Sequence, residues 1–69
     1  MKNRIAELRT KKSWTQQELA DRTQVSRQTI ISLERGRYNP SIILAFRLAR
    51  QFDKKIEELF LYSEEDDHE

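Results

Sequence analysis

An all-α, compact domain of five short helices is the fold that this sequence predicts, and three observations point to it. Apolar residues recur at three- and four-residue spacings. No segment alternates with period two for long enough to make a strand. Side chains that start and stop helices stand at the ends of the periodic stretches. With 69 residues there is room for one domain, near the lower limit for a core that folds unaided. Apolar and charged residues each make up 36% of the chain, so the core is small and every helix must leave one face in water.

Ile5 and Leu8 set an apolar spacing inside Lys2 to Lys12, the first amphipathic helix. Thr15 followed three residues later by Glu18 is a capping box, so the second helix starts there and buries Leu19 and Ala20. Ser26 is a good N-cap for a third helix over residues 26–35, with Ile30 and Leu33 pointing inward. Gly36 stands where a helix-terminating glycine is expected. Asn39-Pro40-Ser41 is a turn and a helix start, after which a fourth helix buries Ile42, Ala45, Leu48, Ala49 and Phe52. A short fifth helix contributes Ile56, Leu59 and Phe60. The ordered domain is therefore residues 1–62, and residues 63–69 form an acidic, aperiodic, flexible tail.

Several function classes are excluded by composition. There is no cysteine, and the one histidine, His68, lies in the tail, so no zinc site is available. No nucleophile–histidine–acid set, metal-ligand cluster or glycine-rich phosphate loop is present, which argues against an enzyme and against cofactors. A core this small leaves no room for a small-molecule pocket. No apolar run approaches the roughly 20 residues of a membrane span, and the N-terminus lacks a signal-peptide block. A cytoplasmic protein is expected.

The net charge of +1 hides an asymmetry. Residues 1–55 hold all 13 Lys and Arg against 5 acids, a net +8, whereas residues 56–69 hold 7 acids and no base, a net −7. A basic body of this kind suits a polyanion, although a solvated surface with a soluble tail reads equally well from charge alone.

The third helix makes the polyanion specific. With Ile30 and Leu33 directed inward, Gln28, Ile31, Ser32 and Arg35 fall on the opposite side and Arg27 projects from the first turn. Two short helices joined by a tight turn place such a second helix in the DNA major groove. Arginine can bond guanine twice, glutamine matches adenine, and an exposed isoleucine can meet the thymine methyl. Arg27, Gln28, Ile31 and Ser32 are thus the candidate base contacts. Gln16, in the first turn of the second helix, is a candidate phosphate anchor beside free backbone N–H groups. Arg35, Arg37, Tyr38 and Asn39 would follow the DNA backbone, with Tyr38 equally able to pack its ring on the domain.

These residues resemble the Cro/CI-type (Xre) helix-turn-helix family over about Ile5 to Phe60. The resemblance rests on Thr15-Gln16-x-Glu18-Leu19-Ala20, Val25-Ser26-Arg27-Gln28-Thr29-Ile30, Glu34-Arg35-Gly36-x-x-Asn39-Pro40-Ser41 and Ile56-Glu57-Glu58-Leu59-Phe60, in that order. It implies a lambda-repressor-like fold, base contacts from Arg27, Gln28 and Ser32, phosphate contacts from Gln16 and Arg37, and a structural ion pair between Arg9 and Glu34. The sequence departs from the family pattern at Gln24, where glycine is usual, at Ser13-Trp14, where Gly-Leu is common, and at Lys55, where Ser or Thr caps the last helix. Trp14 is read as a core residue sealing the start of the second helix.

The family also implies a homodimer on a two-fold symmetric operator of double-stranded DNA. Ile43, Leu61 and Tyr62, which the core does not claim, form a candidate dimer interface together with Phe60. A sequence-specific transcriptional regulator follows, a repressor by preference since an effector domain has no room. The alternative is an antitoxin or adaptor that binds a partner protein, with the acidic tail as its docking segment.

Overall fold

The computed structural model of the chain describes residues 1–64. Five helices appear in the expected order: α1 (Ile5–Lys11), α2 (Gln16–Thr23), α3 (Arg27–Glu34), α4 (Ile42–Phe52) and α5 (Ile56–Leu59). The sequence reading omitted one feature. Lys2–Asn3 (β1) and Phe60–Leu61 (β2) pair as a two-stranded antiparallel ribbon, with Lys2 opposite Leu61 and Asn3 opposite Phe60. Two residues per strand are too few for alternation to show in a sequence. The ribbon also corrects two helix boundaries. The first helix begins at Ile5, where the Asn3 side chain accepts the Ile5 N–H at 3.1 Å, and the last ends at Leu59.

Each long helix starts on the cap expected of it. Thr15 and Glu18 close a reciprocal capping box on α2. Ser26 accepts the Thr29 N–H at 3.1 Å and Ser41 accepts the Leu44 N–H at 3.1 Å. Lysine has no acceptor, so α5 keeps half a box: the Glu58 carboxylate accepts the Lys55 N–H at 2.9 Å. Three non-glycine residues take left-handed backbone, Ser13, Gln24 and Asp53, each closing a helix. Gln24 (φ 62°) does so in the tight turn between α2 and α3. Gly36 ends α3 with φ 73°, its N–H reaching Leu33 O and that of Arg37 reaching Ser32 O. A Cβ on Gly36 would also come within 3.0 Å of the Met1 carbonyl oxygen, so only glycine fits.

The core joins Ile5 and Leu8 of α1, Leu19 and Ala20 of α2, Ile30 and Leu33 of α3, and the inner faces of α4 and α5. Along α4 the buried set is Leu44, Ala45, Leu48, Ala49 and Phe52. Ile42, expected inside, is 70% exposed. Its angle on the helix matches that of Ala49, seven residues on, but in the first turn it borders an open apolar cleft with Pro40, Ala45, Ile56 and Phe60. Phe60, expected both in the core set of the last helix and in the dimer interface, is buried, because strand pairing to Asn3 turns it into the core and away from any interface.

Trp14 is half-buried as a lid on that core, its ring centroid 5.7 Å from that of Phe52 and the Arg22 guanidinium 4.1 Å above its face. Both contacts commit the ring to the domain. No helix among the described residues is long and apolar enough to cross a membrane.

Candidate nucleic-acid interface

Ile30 and Leu33 anchor α3 with no exposed surface, and that fixes which of its side chains reach solvent. Arg27 and Gln28 are exposed in its first turn, and Arg35 is exposed at its end. Ile31 and Ser32 are half-buried, so their outward parts reach solvent while their inner parts pack on the domain. Arg37, Tyr38 and Asn39 are exposed in the loop that follows, with Tyr38 at 40%. The candidate base contacts therefore share one helix, flanked by arginines at both ends.

This helix is held in place by its last residue. The Glu34 carboxylate accepts Arg9 Nε at 2.7 Å on one oxygen, and Arg9 Nη2 at 3.3 Å and Gln16 Nε2 at 3.0 Å on the other. Arg9 Nη1 donates in turn to the Trp14 carbonyl at 2.8 Å. The pair that the resemblance implied thus exists, and it ties α1, the start of α2 and the end of α3 together. Its side chains are 17% and 8% exposed, so desolvation is shared by well-formed, charge-assisted bonds.

Gln16, expected as a phosphate anchor, is partly committed within the domain. Its side chain is half-buried, and one amide N–H is committed to Glu34. A glutamine amide carries two N–H groups, so one remains. Gln16 and Gln17 are also the first residues of α2, whose backbone N–H groups have no intrahelical acceptor. An open cleft of about 620 Å³, lined by Arg9, Thr15, Gln16, Gln17 and Arg27, lies at this corner. Sequence reasoning missed Gln17 as a wall of that cleft, although its place beside Gln16 in the same helical turn was a usable signal. It also missed Asn3, whose amide caps the end of α3 by donating to the Leu33 carbonyl at 2.8 Å. The Met1 amino group donates to the Gly36 carbonyl at 3.1 Å in the same region.

A helix-turn-helix family model matches residues 5–59, which span every helix of the fold. The chain belongs to the helix-turn-helix family. It falls in the Cro/CI-type (Xre) branch, as a DNA-binding transcriptional regulator and not an enzyme. An uncharacterized HTH-type transcriptional regulator of Archaeoglobus fulgidus is 52% identical over 66 residues, covering 96% of this chain and 93% of that protein. The competence pilus inhibition repressor of Acinetobacter baylyi is 37% identical over 62 residues, covering 90% of this chain and 56% of its own length. Among solved structures, the restriction-modification controller protein C.AhdI from Aeromonas hydrophila superimposes with a TM-score of 0.75 at 37% identity, covering 83% of this chain and 86% of that one. Helices α2 and α3, joined by the tight turn at Gln24, form the two-helix unit.

A second exposed surface lies on α4. Ile42, Ile43 and Phe46 are 70%, 61% and 56% exposed. At about 100° per residue they cover one face of the helix, with Phe46 between the other two. Leu61 and Tyr62, the other members of the expected interface, are exposed at 47% and 61%. Phe46 went unassigned in the sequence because it falls outside the buried stripe, where apolar residues carry no periodic signal.

Proposed function

We propose that this regulator is a homodimeric repressor that reads a two-fold symmetric operator by laying α3 in the major groove. The observation that carries this reading is the exposure of Arg27 and Gln28 on a helix whose opposite face is fully buried and whose end is pinned by Glu34. Arg27 and Gln28 meet base edges, with the outer parts of Ile31 and Ser32 beside them. Gln16, Arg35, Arg37, Tyr38 and Asn39 contact phosphates, which fix register without reading sequence. Affinity accordingly falls steeply as salt rises. Repression is favoured by likeness to a protein named as a repressor.

A single recognition helix reads only a few base pairs, and two half-sites about 34–36 Å apart call for a two-fold dimer. Its interface in this reading is centred on Ile42, Ile43 and Phe46, beside the apolar cleft that Ile42 shares with Pro40, Ala45, Ile56 and Phe60. The neighbouring cleft against Phe46 carries both signs of charge, Arg50, Lys54 and Lys55 with Glu57 and Glu58. Such a surface complements a rotated copy of itself. Leu61 and Tyr62, also exposed, are further candidates. The proposed docking of a partner protein on the acidic tail lies largely on residues 65–69, outside the described residues.

Selecting bound sequences from a random DNA pool tests the reading. A motif with two-fold symmetry is expected, and an asymmetric or absent motif rejects it. On the selected site, Gln28→Ala should weaken binding by about 1–3 kcal/mol and relax the preference at one base position. An equal loss on every sequence would demote Gln28 to a backbone contact.

A further inference from the structure

We infer that Glu34 is a positioning residue for DNA binding, acting through Gln16, in addition to pairing with Arg9. The inference rests on the phosphate contact proposed for Gln16. Of the three donors that converge on the Glu34 carboxylate, two belong to Arg9 and the third is the Gln16 amide at 3.0 Å. Arg9 alone would satisfy the ion pair. The Gln16 bond links the last residue of the recognition helix to the first residue of α2 across 18 positions of sequence.

A free glutamine at a helix start samples many rotamers, and ordering it on a phosphate costs conformational entropy at the moment of binding. Here the amide is already fixed. Its second N–H and the unpaired backbone N–H groups of Gln16 and Gln17 belong to the same corner as the cleft that Arg27 lines. Because the same carboxylate ends α3, the phosphate-contacting amide and the base-reading helix share one anchor. A phosphate seated at Gln16 therefore sets the register in which Arg27 and Gln28 meet the bases.

A double-mutant cycle on the selected operator duplex tests this, with the folded state of each variant checked through Trp14 fluorescence. Gln16→Ala removes the contact. Glu34→Asp keeps the charge for Arg9 but withdraws the carboxylate by one methylene from the Gln16 amide. Each single variant is expected to lose affinity roughly tenfold, and the double variant no more than Gln16→Ala alone. Losses that multiply in the double variant, or wild-type affinity for folded Glu34→Asp, would overturn the coupling while leaving the phosphate contact standing. Wild-type affinity for Gln16→Ala would remove the contact itself, and the inference with it.

Phosphate-ethylation interference separates positioning from general loosening of the fold. One phosphate whose ethylation weakens the wild type should fall silent in both variants. Interference weakened evenly at every phosphate would mean that Glu34 acts on the fold alone.

Discussion

Two faces of this small domain are built on opposite plans. At the corner where α1, α2 and α3 meet, polar side chains are bonded to one another before any ligand arrives: Arg9 to Glu34 and to the Trp14 carbonyl, Gln16 to Glu34, Asn3 to the Leu33 carbonyl. On the outer face of α4, Ile42, Ile43 and Phe46 stand in water. A surface that must place hydrogen-bond donors on a rigid duplex gains from preorganisation, because geometry lost there is lost affinity. A surface proposed to bury apolar area against a second copy of the chain gains its packing from that partner, and needs no bonds made in advance. The contrast explains why the polar corner costs sequence positions on four separate segments, whereas the apolar face is a single stretch of one helix.

The largest expected effect breaks the ordered face. Glu34→Ala leaves the Arg9 charge largely buried without its partner and should destabilise the fold by roughly 3–5 kcal/mol, read by urea unfolding. A loss under about 1 kcal/mol would show that the corner is surface-like. Next, Phe46→Glu breaks the apolar face only. It should weaken dimerisation by about 2 kcal/mol or more in sedimentation equilibrium and leave the monomer's stability nearly unchanged. Dimers that persist would move the interface elsewhere, toward Leu61 and Tyr62.

A smaller effect sharpens the hinge between the two helices of the ordered corner. Gln24→Gly relieves a left-handed backbone but loosens the unfolded chain, for a net gain of about 0.5–1 kcal/mol in thermal or urea unfolding. Destabilisation would mean that the Gln24 side chain does more than tolerate its position.

The smallest effect belongs to neither face. On α1, hydrogen bonds from Arg4 and then Lys11, with their charges, hold the Glu7 carboxyl below its ordinary range. A depressed folded value contributes stability above the unfolded pKa and loses it as pH falls through the folded one. The stability gap between wild type and Glu7→Gln should therefore close as pH drops below about 4.3. A gap that widens in acid would contradict the sign.

Much of this molecule was legible because its signals are local. Thr15, Ser26 and Ser41 cap the helices assigned to them, and Gly36 closes α3 because a tight end and the passing Met1 carbonyl both forbid a side chain. The exposure of Arg27 and Gln28 follows from the burial of Ile30 and Leu33 through helical geometry alone. The rest depends on what lies opposite a residue, which periodicity does not encode. Ile42 has the angle of a core residue and lies outside, because what faces it is an open cleft. Phe60 suits either the core or an interface, and a two-residue strand decides for the core. Gln16 stands at an open helix start in the sequence, and the third hydrogen bond to the Glu34 carboxylate holds its amide. Sequence determined the helices and their outward chemistry, since caps and wheels act within one turn; only the tertiary structure decided which side chains are held and which are left open, since that is set by neighbours distant along the chain.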